Sequence, residues 1–261
     1  MISNAAKKVV VIMGAGPGTG FAIAKRFALA GHPVALLARQ RSRLESLAEE
    51  INSLKAGPAH VFDADASKKQ SVDAAFTEIT RYYQGTSEKA KVWGAVYNPG
   101  GFLMSPLLEV TEEKLRQIVD VQFFGGFFFA QAYLNALTKG EEGSAASSDD
   151  NEARGFLAFT GASASLKGSA KFAAFSAAKG ALRNLAQSTA REWQPQGVHV
   201  FHSIVDGFID TEATRGMLGT DFKPHTRIDP ADIAESYYRV AAQKRSAWTH
   251  EQDLRPFSET F

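Results

Sequence analysis

The chain has 261 residues, of which 44% are hydrophobic and 22% are charged, and its formal net charge is +1. This composition is typical of a globular protein with a large buried core, and it excludes the disordered and collagen-like classes. A charge this close to neutral gives no broad attraction to nucleic acid or to an anionic membrane, so we expect neither as a partner. The absence of cysteine excludes disulfides and thiolate chemistry, and the expected compartment is the cytoplasm.

Short runs rich in strand-forming residues alternate with longer segments of helical periodicity, such as residues 20–30 and 41–54. This alternation predicts a doubly wound α/β fold, in which helices cover both faces of a parallel sheet. No repeat of 20–50 residues is present, and we expect residues 1–261 to form one domain. The predicted strands are 9–13, 33–38, 59–63, 92–97, 155–160, 198–204 and about 247–254.

The first predicted strand is followed directly by a glycine-rich segment. Glycine permits a tight turn there, lets the backbone approach a pyrophosphate and allows the next helix to pack closely. The free N–H groups at the start of that helix would face the phosphates. Strand, glycines and helix in this order predict a dinucleotide-binding loop that contains Gly14, Gly16, Gly18, Thr19 and Gly20.

The second predicted strand ends at Arg39, where a site for NAD usually has an acidic residue. A planar guanidinium can pair with the 2′-phosphate of NADP and stack on adenine. The predicted cofactor is therefore NADP(H) rather than NAD. The alternative is that Arg39 is only a solvated charge at the end of a strand.

Two segments in the middle of the chain have unusual compositions. Residues 139–154 are polar, acidic and rich in serine, and we expect them to form a mobile surface loop with no assigned function. The apolar helix before them carries aromatic side chains on more than one face, which predicts a buried core together with a subunit contact. These aromatic residues are Phe123, Phe124, Phe127, Phe128 and Phe129.

The spacing of Gly14, Gly18 and Gly20 resembles the Gly-x-x-x-Gly-x-Gly element of the short-chain dehydrogenases, and further landmarks follow in the order of that family. The resemblance spans nearly the whole chain. It implies a Rossmann-type fold with a seven-stranded parallel sheet, a nicotinamide cofactor and a homodimer or homotetramer. It also implies further cofactor contacts at Asp65, Ala66, Asn98, Pro99, Gly100, Gly207, Ile209 and Thr211.

The catalytic positions of that family differ in this chain. The family has a Tyr-x-x-x-Lys pair on one helix, a serine thirteen residues before the tyrosine and an asparagine on the preceding long helix. The resemblance puts Phe175, Ala162 and Gln122 at the tyrosine, serine and asparagine positions, and it leaves only Lys179, which is implied to bind the nicotinamide ribose. Phe175 and Ala162 cannot donate a proton or a hydrogen bond to a substrate oxygen, so reduction of an ordinary ketone is expected to be impaired.

Another group could supply the missing proton or hydrogen bond. Ser163 is the first candidate for the hydrogen bond, although a hydroxyl at the end of a strand also commonly caps the backbone. Asp206 stands where the family has proline, and it is either an acid of raised pKa, a counter-ion for an iminium, or part of a turn-forming Asp-Gly pair. The remaining candidates are Ser165, Ser176, Tyr97 and His202.

Two further interpretations change the reaction. Hydride addition to an iminium discharges a cation and creates no oxyanion, so such a substrate would need no acid from the protein. Alternatively, the protein binds NADP(H) without redox turnover, as a sensor, a scaffold or a non-redox cyclase or lyase. The predicted function is an NADP(H)-dependent oxidoreductase acting on a small or medium carbonyl or iminium-type substrate, with binding alone as the alternative.

Other kinds of site lack their usual sequence patterns. The six histidines do not have the spacing of metal ligands, so we expect no metal site. No Gly-x-Ser-x-Gly segment is present, and a hydrolase therefore lacks its main support. Residues 212–229 fall where the family has its substrate lid, a segment that leaves the substrate open.

Overall fold

The computed structural model describes residues 7–85, 90–139, 152–223 and 225–259. Seven parallel strands form one sheet in the order β3-β2-β1-β4-β5-β6-β7. This is the doubly wound Rossmann fold that the alternating sequence pattern predicts. The strands are β1 (Lys8–Met13), β2 (Val34–Ala38), β3 (Ala59–Asp63), β4 (Lys91–Tyr97), β5 (Gly155–Gly161), β6 (Val198–Val205) and β7 (Glu251–Leu254).

Helices cover both faces of the sheet. One face packs against α3, α5 and α6, and the other packs against α1, α2 and α8. A π-helical turn, Asp120–Phe124, joins α4 directly to α5. The helices are α1 (Thr19–Leu29), α2 (Arg41–Ser53), α3 (Lys69–Gly85), α4 (Glu112–Val119), α5 (Gly125–Lys139), α6 (Ala173–Trp193), α7 (Glu212–Leu218) and α8 (Pro230–Ala241).

The apolar run of β1 is explained by its place in the middle of the sheet. Successive side chains of a strand point to opposite faces, and both faces are buried here. Val9 and Val11 accordingly pack in the core beneath α3, α5 and α6, whereas Val10 and Ile12 pack beneath α1, α2 and α8. The carboxyl end of β1 is thereby fixed at the centre of the molecule, where the glycine-rich segment begins.

The last strand is shorter than the sequence predicts. Residues 247–254 are predicted to be extended, but β7 begins at Glu251 and a 3₁₀ turn occupies Arg245–Ala247. Gln243 explains the difference because its carbonyl accepts a hydrogen bond from Trp248 Nε1 at 3.1 Å, and its side chain accepts one from the Thr249 N–H at 2.6 Å. These bonds hold the segment before β7 in a turn instead of a strand.

Three of the predicted segments are only partly tested. Within 139–154, residues 140–151 lie outside the described residues. Within 212–229, where Pro224 lies outside them, the chain forms α7 and then pairs Ile228 with Ile209. On the phenylalanine-rich helix, Phe129 is fully buried while Phe124 and Phe127 are 44% and 40% exposed, and the subunit contact there stays a prediction.

In the part of the chain that the structure describes, no helix is long and apolar enough to cross a membrane.

Candidate functional site

A cavity of about 490 Å³ lies at the carboxyl ends of the strands, where the strand order reverses between β1 and β4. This is the position at which doubly wound sheets bind their ligands. Among the residues predicted to contact the cofactor, Gly18 and Gly207 do not line this cavity. Those that do are Gly14, Gly16, Thr19, Gly20, Arg39, Asp65, Ala66, Asn98, Pro99, Gly100, Lys179, Ile209 and Thr211.

The glycine loop is held by contacts that leave no room for a side chain at Gly14 or Gly20. Gly14 has a φ of +79°, and a Cβ placed on it would lie 2.7 Å from the Pro99 nitrogen. A Cβ on Gly20 would lie 2.1 Å from the Gly14 carbonyl oxygen. The same carbonyl accepts a hydrogen bond from Asn98 Nδ2 at 3.1 Å. The loop after β1 and the segment after β4 therefore support one another at the floor of the cavity.

The N-terminus of α1 lies on the same cavity. Its first turn contains no acidic residue, and no side chain caps it. Unpaired N–H groups and the positive end of the helix dipole favour an anion at such a position. Thr19 and Gly20, the first two residues of α1, line the cavity, so a phosphate held there would meet this helix end.

Arg39 and Asp65 are the charged residues at the end of the cavity formed by β2 and β3. Arg39 is exposed, and within the described ranges no hydrogen bond or ion pair reaches its guanidinium. Asp65 Oδ1 accepts hydrogen bonds from the Ser67 hydroxyl at 2.7 Å and from the Ser67 N–H at 3.1 Å. Burial acts to raise the pKa of Asp65, but these hydrogen bonds and Lys68 lower it overall. Asp65 is thus engaged within its own turn, while Arg39 is available to a ligand.

Lys179 lies at the other end of the cavity. Its side chain is buried, and Nζ donates a hydrogen bond to the Thr160 carbonyl at 2.9 Å. Burial lowers the pKa of Lys179 to about 8. One helical turn earlier on α6, the ring of Phe175 is 8% exposed, and its centroid lies 6.0 Å from Nζ. Phe175 and Lys179 therefore lie on the same face of α6, as their spacing of four residues predicts.

Gln122 and Ser163 occupy different environments. Gln122 is fully buried in the π-helical turn, where Nε2 donates to the Gly101 carbonyl at 3.3 Å and Oε1 has no partner among the described residues. Ser163 begins a 3₁₀ turn that ends at Ser165, and its carbonyl accepts a hydrogen bond from the Leu166 N–H. Neither residue lines the cavity, so the geometry gives no direct support to Ser163 as a substitute for the family serine.

Two other candidates for a proton donor, Asp206 and Tyr97, have partners elsewhere. Asp206 is paired with Arg255 and does not line the cavity, so the structure does not support it as an acid or as a counter-ion beside the nicotinamide. Gly207, which follows it, has a φ of +130° and packs against Pro256. Tyr97 donates its hydroxyl hydrogen to the Val121 carbonyl, and burial raises its pKa far above the ordinary value.

His202 is buried and belongs to a network with two partly exposed charged side chains, those of Glu251 and Arg183. Its Nδ1 lies 2.9 Å from Glu251 Oε2, and Arg183 holds the same carboxylate through two bonds of 2.7 and 2.8 Å. Burial lowers the pKa of His202 to about 4, although Glu251 acts in the opposite direction. This network joins α6, the helix that carries Lys179, to β6 and β7.

An aromatic cluster beside Lys179 was not predicted from the sequence. The ring centroid of Phe102 lies 5.5 Å from that of Phe172 and 5.7 Å from that of Phe175. Phe102 is 71% exposed, so one wall of this region is apolar and open. Phe102 precedes Phe172 by 70 residues, so no local spacing brings it to the other two rings. The cavity residues that the sequence analysis missed are Met13, Pro17, Ala38, Ala64, Val121 and Thr160, most of which adjoin a predicted one.

Metal ligands and a second cavity are the remaining features of the described residues that bear on function. No group of three or more histidine, aspartate or glutamate side chains is arranged to hold a metal ion there. A second cavity, of about 780 Å³, lies between α1, α7 and α8. Among the charged residues that line it, Arg215 pairs with Asp210 at 2.7 Å, while Lys25 and Arg26 pair with Glu50 and Glu235 outside the lining.

The chain belongs to the short-chain dehydrogenase family, whose model matches residues 8–219. It is 26% identical over 250 residues to a protein of Staphylococcus epidermidis named an uncharacterized oxidoreductase. The aligned region covers 96% of this chain and 97% of that protein. The chain is therefore similar in sequence to an oxidoreductase along almost its full length.

Solved structures agree with this assignment. A short-chain dehydrogenase from Rhodopseudomonas palustris is 29% identical, with a TM-score of 0.76 over 96% of this chain and 99% of that one. An alcohol dehydrogenase from Thermococcus sibiricus in complex with 5-hydroxy-NADP is 24% identical, with a TM-score of 0.80 over 97% and 98% of the two chains. At 24% identity, the similarity to the Thermococcus sibiricus enzyme shows a shared fold and no more.

Proposed function

We propose that this protein is an NADP(H)-dependent oxidoreductase acting on a small or medium carbonyl or iminium-type substrate. The observation that carries the proposal is Arg39, an exposed guanidinium without a partner among the described residues, at the edge of the cavity. It can pair with a 2′-phosphate through charge-assisted hydrogen bonds. The Thermococcus sibiricus alcohol dehydrogenase in complex with 5-hydroxy-NADP supports the same choice of cofactor.

The other cavity residues fit the rest of a dinucleotide. The glycine loop and the start of α1 would hold the pyrophosphate, because a Cβ on Gly14 or Gly20 would strike neighbouring backbone and both residues line the cavity. Asp65 and Ala66 would adjoin adenine, and Ile209 and Thr211 the carboxamide. Lys179 would hold the nicotinamide ribose. Bound in this way, the cofactor would supply or accept a hydride.

The substrate half of the site is apolar. Phe102, Phe172 and Phe175 form an aromatic wall beside Lys179 and outside the lining of the cavity, and aromatic surfaces of this kind favour a substrate of aromatic or aliphatic character. We propose that Phe175 and Ala162 occupy the positions of the family tyrosine and serine. Neither side chain can donate a hydrogen bond, so the proton for a carbonyl oxygen has to come from another group.

Titration of the protein with NADPH and NADH, followed by cofactor fluorescence, tests this proposal. We expect NADPH to bind at least about tenfold more tightly than NADH, and Arg39→Ala to remove that preference, because a hydrogen bond to a charged group contributes roughly 1.5–3 kcal/mol. Arg81→Ala, which removes an exposed charge from α3, should change neither affinity. Failure to bind either nucleotide, or an unchanged preference in Arg39→Ala, would contradict the proposal.

A second candidate is an NADP(H)-binding protein without redox turnover, such as a sensor, a scaffold or a non-redox cyclase or lyase. It is favoured by the buried Phe175 ring, which supplies no hydroxyl beside Lys179. The two candidates differ in turnover. Tight NADPH binding with no NADPH oxidation across aldehydes, ketones and iminium ions would support the second.

A further inference from the structure

Three of the residues that line the cavity carry a charge: Arg39, Asp65 and Lys179. An arginine does not release its proton in proteins. Asp65 has its pKa lowered overall, with burial opposed by the Ser67 hydrogen bonds, so it holds no proton near neutral pH. Among these ionisable groups, only the Lys179 ammonium can give up a proton under ordinary conditions.

The position of Lys179 suits the release of a proton. An ammonium has three N–H donors, and the Thr160 carbonyl accepts one of them at 2.9 Å. No other bond to Nζ is found among the described residues, so two donors have no partner there, and Lys179 lines the cavity. Nζ also lies 6.0 Å from the centre of the Phe175 ring, at the aromatic wall proposed to contact the substrate.

We propose that Lys179 itself donates the proton to the substrate oxygen when a carbonyl is reduced, in addition to holding the ribose. This inference rests on the proposed function. The substrate carbon gains a hydride from the reduced cofactor, and the C=O π pair forms a new O–H bond with a proton from Nζ. The electron pair of the broken N–H bond remains on the amine, which then regains a proton from solvent.

The ionisable groups around Lys179 leave its proton available. Arg183 follows it by one turn of α6, His202 lies on β6 and Glu251 on β7, and the Glu251 carboxylate binds both of the others. Tyr97 on β4 is committed to a backbone carbonyl. Burial lowers the pKa of Lys179 to about 8, which brings the acid close to neutral pH, where general acid catalysis is most effective.

The first test compares kcat for an aromatic aldehyde with kcat for an N-alkyl dihydroisoquinolinium ion, both with saturating NADPH. Lys179→Arg keeps the positive charge but cannot donate the proton. We expect the aldehyde-to-iminium ratio to fall at least about 100-fold in this variant. Adding Phe175→Tyr to Lys179→Arg should raise the aldehyde-to-iminium ratio again, by at least about tenfold over Lys179→Arg alone. The matched control Lys167→Arg, at an exposed position, should keep the wild-type ratio.

The second test uses the unmodified enzyme. Because the acid must be protonated, kcat for the aldehyde should fall about tenfold per pH unit above a pH near 8, while kcat for the iminium should not show this fall. NMR of ¹³C-labelled lysine in the cofactor-free protein should show one resonance, absent in Lys179→Arg, that titrates near pH 8.

The possible failures can be told apart. An unchanged ratio in Lys179→Arg, a flat aldehyde profile up to pH 9.5, or a Lys179 resonance that titrates above pH 10 overturns the role of Lys179. Iminium reduction without aldehyde reduction also overturns it and leaves the proposed oxidoreductase intact. NADPH binding with turnover of neither substrate would count against both.

Discussion

Gly20 illustrates how one missing Cβ shapes the cofactor site. A Cβ at this position would lie 2.1 Å from the Gly14 carbonyl oxygen, so Gly20→Ala must displace the glycine loop. Overpacking of this kind typically reduces the free energy of unfolding by 1–3 kcal/mol. We expect a loss of about that size in chemical denaturation, together with weaker NADPH binding.

Gly16→Ala is the matched control for Gly20→Ala. Nothing lies within 4 Å of a Cβ on Gly16, so its free energy of unfolding should change by no more than about 0.5 kcal/mol. Equal stability of the two variants would show that the loop does not require the close approach seen at Gly20.

The sequence predicted residues that act through local spacing and missed those that depend on distant partners. The glycine loop follows from the steric needs of a tight turn, and Lys179 and Phe175 share a face because they are four residues apart. The role of Asp206 could not be predicted, because its partner Arg255 lies 49 residues away and meets it only when β6 and β7 are neighbours.

At the scale of elements, β6 carries two buried histidines that make stability depend on pH. Burial lowers the pKa of both His199 and His202 to about 4, from an ordinary value of 6.5. Both are therefore neutral in the folded protein, while the unfolded chain binds protons more readily between pH 4 and 6.5. Stability should thus rise with pH across this window and be lost as the pH falls through it.

Urea unfolding at several pH values measures this effect. At about 1.36 kcal/mol per pKa unit, each histidine contributes at most roughly 3 kcal/mol of pH dependence. His202→Gln should reduce the slope of stability against pH, whereas His225→Gln, at an exposed position, should leave it unchanged. Equal slopes in the wild type and His202→Gln would mean that the buried imidazole can accept a proton without loss of stability.

The elements themselves were largely predictable, for a physical reason. Strands buried on both faces, such as β1, appear as short apolar runs, and amphipathic helices such as α2 show their period directly. The sequence pattern failed at residues 247–250, where side-chain bonds from Gln243 compete with strand pairing. Such competition depends on three-dimensional proximity and leaves no periodic signal.

At the scale of the whole molecule, the doubly wound topology brings the cavity together. The ends of β1, β2, β3 and β4 and the helix that carries Lys179 all meet where the strand order reverses. Arg39 and Lys179 are 140 positions apart in the sequence, yet both line this single cavity. We propose that this cavity holds NADPH for hydride transfer.

Transfer of deuterium from NADPH labelled at C4 of the nicotinamide distinguishes hydride transfer from cofactor binding alone. The protein is incubated with the labelled cofactor and a panel of aldehydes, ketones and iminium ions, and the products are analysed by mass spectrometry. We expect a product with one deuterium on the former carbonyl or iminium carbon, formed by the wild type and at least about tenfold more slowly by Arg39→Ala at subsaturating cofactor. Saturating NADPH binding with no deuterium in any product would contradict it.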